Sequence, residues 1–161
     1  MKRQLPSHIT KYYEALWCIW DSRLVLGEVS DGIIHATVVS SSRWKKYDVS
    51  YDQLHHSIMS NDNSSYRKGE LWYPALALLL FLDVLDYQSD YGEALSGIEW
   101  KPLNTINNNN FDLTQQQVET QIQSQWMNIS SLHLYCDSLQ HTLESLHLEM
   151  LGTTKKPPIG N

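Results

Sequence analysis

The chain has 161 residues, of which 42% are hydrophobic and 19% charged, the proportions of an ordinary globular domain and not of a disordered segment. At this length folding removes roughly 70% of the unfolded surface from water, enough for one core and too little for two. The net charge of −6 is unevenly placed: residues 1–68 carry nine Lys or Arg against seven acids, whereas residues 69–154 hold eleven acids and the single base Lys101. Such a field repels nucleic acid and anionic lipid and speeds encounter with cationic partners, although acids on a surface also serve solubility alone.

The opening residues MKRQLPSHITKYYEA turn polar and aromatic where a signal peptide needs its apolar stretch, so the expected location is cytoplasmic. Ile9, Tyr13, Leu16, Trp17, Trp20 and Leu24 recur at helical spacing, with Ser7 placed to cap a first helix and Gly27 to end it. The segment EVSDGIIHATVVSSSRWKKYDVS reads two ways. Asp31-Gly32 between β-branched runs suggests a hairpin within residues 22–40, and the same letters fit a helix capped by Ser30 and running to Tyr47. The helix is preferred, because no third strand is evident and an isolated hairpin is only marginally stable.

Ser50 is then placed to cap a short helix in YDQLHHSIM, followed by the polar loop SNDNSSYRKG. From Leu71 to Leu82 only Pro74 interrupts the apolar side chains, and Pro is tolerated in a first helical turn. About twelve apolar residues fall far short of the roughly twenty a bilayer requires. A helix apolar on all sides is one surrounded by other elements, so residues 71–88 are expected to be the central helix. GIEWKPLNTINNNNF reads as an exposed connection. Asp112 and Gln115 have capping-box spacing and open a long helix over about 113–151, whose seam runs through Ile129, Leu132, Cys136, Leu139, Leu143, Leu146 and Met150. Gly152 stops it, and residues 153–161 read as a flexible tail. The expected fold is mainly α: a single helical domain over residues 1–152.

Asp83, Asp86, Asp90 and Glu93 follow the apolar run, and the three Asp share one face if the helix continues. Carboxylates at a helix C-terminus oppose the macrodipole by about 0.3–1 kcal/mol each. An internal Arg such as Arg23 or Arg43, a basic partner surface or a divalent cation could offset them. His133, Asp137, His141, Glu144 and His147 fall in one sector of the last helix, without the HExxH pattern of a zinc site. No nucleophile elbow, phosphate loop or dinucleotide fingerprint occurs, so no catalytic, metal or cofactor residue is assigned. Cys18 and Cys136 read as two buried free thiols, with a single bridge between them as the alternative. Trp44, Tyr47, Trp100 and Trp126 lie near loops or polar neighbours and are candidate exposed anchors.

In WDSRLVLGEVSDGI and YPALALLLFLDVLD the chain resembles helical immunity proteins of interbacterial competition systems, including those that neutralise nuclease toxins. In that family a helix ending in an Asp, an aliphatic pair and a Gly-containing turn precedes a Leu-rich central helix ending in acids, the pattern of Asp21, Leu24, Gly27 and residues 76–86 here. The resemblance implies a cytoplasmic, non-enzymatic protein that neutralises a cognate basic toxin domain, with no nucleic-acid or membrane partner. The partner-binding residues expected on this reading are Asp83, Asp86, Asp90, Glu93, Trp100, His133, Asp137, His141 and Glu144. Two other readings are a helical structural or regulatory protein that self-associates through the Ile129–Met150 seam, and a metal-dependent hydrolase.

Overall fold

The aromatic-rich segment after Ile9 forms helix α1, Thr10–Trp20, buried from Thr10 through Cys18. The computed structural model describes residues 2–125, 127–152 and 155–159. Ser7 does not cap α1. Ile9 holds that position, and Ser7 instead donates its backbone N–H to Glu70 Oε1 at 2.6 Å.

Beyond Asp21 the helical expectation fails. Four strands follow, β1 (Leu24–Ser30), β2 (Ile33–Val39), β3 (Lys46–Asp52) and β4 (Ser57–Ser60), pairing in sequence as an antiparallel meander. Asp31 and Gly32 both take positive φ, 53° and 77°, as a two-residue type I′ hairpin turn requires, with Ser30 opposite Ile33. The hairpin therefore forms and the helix over 30–47 does not. The objection that no third strand exists is removed by β3, where buried Val49 and Tyr51 alternate with Asp48, Ser50 and Asp52, the period-two pattern of a half-buried strand. The short helix expected in YDQLHHSIM is the end of β3, a tight turn with His56 at φ 49°, and β4. A short β5, Glu149–Met150, adds to β4 in parallel. The fold is α/β: a five-stranded mixed sheet in the order β1-β2-β3-β4-β5, with seven helices among the described residues, in place of a mainly α bundle.

After α2 (Asn63–Lys68), the apolar run forms α3, Tyr73–Phe81, with Pro74 in its first turn and every residue from Pro74 to Leu80 buried. Helix α1 packs on α3, which in turn packs on β3 and β4, and this accounts for the apolar character of α3 on all sides. It ends at Leu82 instead of continuing to 88. Asp83 turns left-handed at φ 58°, Val84 N–H donates to Leu79 O at 3.0 Å, and Asp83 N–H donates to Leu80 O at 3.2 Å. This pair of bonds is a Schellman stop with Asp where Gly is usual, since Asp tolerates the left-handed region better than most residues.

Three helices follow, α4 (Ser89–Ala94), α5 (Trp100–Ile106) and α6 (Phe111–Gln123), and then α7 (Ile129–Leu146). The long helix expected over 113–151 is thus two. Asn110 caps α6 in place of Asp112, its side chain accepting from Leu113 N–H, and Asn128 restarts the chain as α7 by accepting from Ser131 N–H. His147, left-handed at φ 49°, ends α7 before Gly152 is reached. Leu132, Cys136, Leu139 and Leu143 of the expected seam are 1–2% exposed within the core. That stretch of the seam packs within the chain's own core. Both cysteines are free and buried, as expected. No described helix is long and apolar enough to cross a membrane.

Candidate functional site

Two regions concentrate charge. The first is a cleft of about 440 Å³ opening between α1, the β2–β3 loop, the start of α2, and α5. At its floor Lys11 and Glu14, one turn apart on α1, are buried with their charges: Lys11 Nζ lies 3.0 Å from Glu14 Oε2. An unpaired ammonium here would lose several kcal/mol of hydration. The carboxylate offsets that loss together with two ring faces, Phe111 with its centroid 3.9 Å from Nζ and Trp72 at 4.3 Å. Asn104 of α5 donates from Nδ2 to Glu14 Oε1 at 3.0 Å, while its Oδ1 is buried without a hydrogen-bond partner.

The walls are polar. Ser40 and Ser42 hydroxyls lie 3.0 Å apart in the β2–β3 loop, and Ser41 Oγ accepts from the backbone N–H of Lys101 at 3.1 Å, fixing α5 to that loop. Burial pushes the Tyr47 hydroxyl up to about 12, with the Asp62 and Glu14 carboxylates adding to the shift, so it stays a neutral phenol. Burial likewise raises Asp62, against the hydrogen bonds it accepts from Ser60 and Ser65 and the pull of Arg3. Lys45, Lys68 and Lys101 also line the cleft, and none of the three takes part in an ion pair among the described residues. The arrangement is suited to holding an anion. Cys18 and Cys136 stand apart from it, their thiols pushed up by burial and so held protonated.

The second region contains most of the residues singled out from the sequence. Asp83 and Asp86 lie in the α3–α4 turn, and Asp90 and Glu93 lie on α4, so they are not three-and-four neighbours on one helix. All four are exposed, and none is in an ion pair among the described residues. Neither arginine considered for them pairs with them: Arg23 bonds Asp21 Oδ2 at 2.5 Å and Ser40 O at 2.6 Å over the Trp17 ring, and Arg43 is exposed in the β2–β3 loop with no ion pair among the described residues. Helix α7 is tied to this turn by Tyr135, whose hydroxyl donates to Asp86 O at 2.5 Å and accepts from Gln88 N–H at 3.1 Å, and whose ring stacks on Tyr91.

On α7, Asp137, His141 and Glu144 are exposed, and the His141–Glu144 approach is a loose 3.9 Å. His133 is drawn into an internal network instead, pairing with Glu119, which also accepts from Tyr13 Oη at 2.7 Å and Gln115 Nε2 at 3.2 Å. Among the described residues no three His, Cys, Asp or Glu side chains group as metal ligands. Trp100 must be withdrawn as an exposed anchor, because it is only 2% exposed and packs in the core. Trp44 is 87% exposed, Tyr47 is half-buried, and Trp126 lies outside the described residues.

Sequence reasoning missed the cleft. A signal was present in Lys11 and Glu14, charged residues interleaved with Tyr12, Tyr13, Leu16 and Trp17 on a helix with no polar side. Residues 3–149 match the family described as uncharacterised conserved protein UCP014422, and the chain belongs to that family. No curated protein and no solved structure matches it.

Proposed function

We propose that this family member is a cytoplasmic, non-enzymatic binding protein that captures a basic protein partner on its acidic face, in the manner of an immunity protein neutralising a toxin domain. The observation that carries the reading is the state of Asp83, Asp86, Asp90 and Glu93: four carboxylates on one turn and the adjacent short helix, all exposed and none offset by an ion pair among the described residues. Such a field raises the encounter rate with a cationic surface. Asp137 and Glu144 on α7 are exposed as well and add to the negative charge of this half of the chain.

The test is co-expression with the C-terminal domain encoded by the reading frame immediately upstream. The expected result is that this domain is basic and arrests growth, that the present protein relieves the arrest, and that the two co-purify. An upstream domain that is not toxic, or a toxicity the protein leaves unrelieved, would contradict the reading.

A further inference from the structure

The lysine-lined cleft is not explained by an acidic protein-binding face, and its construction points elsewhere. Its two carboxylates are already committed. Glu14 is bound to Lys11 and to Asn104, and Asp62 accepts from Ser60 Oγ at 2.6 Å and Ser65 N–H at 2.9 Å at the start of α2. With Lys11 neutralised by Glu14, the ammonium groups of Lys45, Lys68 and Lys101 are left around the opening with no ion pair among the described residues. Three cations without an ion pair among the described residues thus line one cleft in a protein whose net charge is −6.

The second observation is Asn104. Its amide nitrogen is held by Glu14, which is held by Lys11, which is held between Trp72 and Phe111. This chain of contacts fixes the side chain and leaves Oδ1 as a buried acceptor with no donor. Oδ1 itself has no surface open to the cleft, so what Asn104 supplies there is a fixed polar wall. The volume, about 440 Å³, lies within the range of small-molecule sites.

We propose that this cleft binds a small hydroxylated organic anion, with its phosphate or carboxylate groups among Lys45, Lys68 and Lys101 and its hydroxyls against the Ser40 and Ser42 side chains of the wall. The site is independent of the acidic face and does not need the partner-binding reading to hold. The phosphate and carboxylate alternatives share one chemistry and are separated by the probes.

The experiment is a titration of the isotope-labelled full chain followed by amide NMR, with glucose 6-phosphate, citrate, glucose and sodium chloride, the charged probes compared at matched ionic strength. Glucose 6-phosphate or citrate is expected to produce saturable shifts at the Asn104 side-chain amide and in the β2–β3 loop. Which of the two binds more tightly assigns the anion as phosphate or carboxylate. Neutral glucose and chloride are expected to leave those signals in place. Lys45→Gln with Lys101→Gln, both on the rim and outside the core, should weaken binding about a hundredfold, roughly tenfold for each charge-assisted contact. Asn104→Asp, which places a second carboxylate beside Glu14, should abolish it. If neither anion gives saturable shifts, if glucose binds as well as the anions, or if the double lysine variant binds with unchanged affinity while its spectrum shows a folded protein, the proposal is overturned.

Discussion

On the acidic face, Asp83, Asp86, Asp90 and Glu93 sit in water with no ion pair among the described residues, whereas in the cleft Lys11 and Glu14 are buried and their charges are bound to each other, to Asn104 and to two aromatic rings. Solvated carboxylates cost little to keep and contribute little to folding. Buried charges are tolerated only as a complete set. The first region can therefore change without disturbing the fold, and the second cannot, which makes mutation a direct way to separate a surface that serves a partner from a cluster that also holds the protein together.

The sharpest contrast comes from Glu14→Ala, which leaves the Lys11 ammonium buried without its anion. Breaking one side of such a pair should lower the free energy of unfolding by about 3–5 kcal/mol, read from the urea midpoint. A shift as small as that of a surface substitution would mean that Lys11 escapes to solvent and that the cluster is not built as described.

Next in size is Glu119→Gln. Burial alone would raise the Glu119 carboxyl, but the hydrogen bonds it accepts from His133, Tyr13 and Gln115 outweigh burial and hold it below its ordinary value of 4.5. A carboxyl depressed in the folded chain adds stability above its unfolded value, and that contribution is lost as pH falls through the depressed folded value. The variant should therefore be less stable than the parent at pH 7, by about 1–3 kcal/mol for a charged hydrogen-bonded group. The difference should narrow as the pH is lowered below 4.5. A gap that stays constant with pH would show that Glu119 is not the titrating group.

Smaller effects divide the acids themselves. Asp83→Ala forces a residue with a Cβ and no local hydrogen-bonding group into the left-handed stop of α3 and should cost about 1 kcal/mol in thermal or urea unfolding. Asp83→Asn keeps a residue suited to that backbone and should change stability by less than about 0.5 kcal/mol, as should Asp86→Asn, Asp90→Asn and Glu93→Gln. A larger loss from any of the last three would place it in a structural role.

The apolar core of α3 was legible from its Ala and Leu run, because composition alone distinguishes such a helix from a membrane span or a buried strand. Its end was not, since Asp83 occupies the left-handed position where a Gly would have signalled a stop. The sheet was partly legible. Asp31-Gly32 offered the hairpin as one of two readings, the alternation of Tyr47, Val49 and Tyr51 that marks β3 was masked by the helix reading over 30–47, and the helix-compatible letters after Asp52 obscured the return strand β4. Helices α6 and α7 read as one because residues 124–128 contain neither Gly nor Pro to mark the break that Asn128 caps. The cleft was least accessible, because its central contact joins Glu14 to Asn104 across 90 residues, and no local pattern in a single chain reports such a pairing.

The most direct test of the account is the association rate with the basic partner domain that the co-expression test identifies, as a function of ionic strength, for the parent and for the variant combining Asp83→Asn, Asp86→Asn, Asp90→Asn and Glu93→Gln. If the acidic face steers the encounter, the variant should associate about tenfold or more slowly at low salt and show a flattened salt dependence, with its unfolding free energy unchanged. Equal rates and equal salt dependence for the two proteins would contradict it.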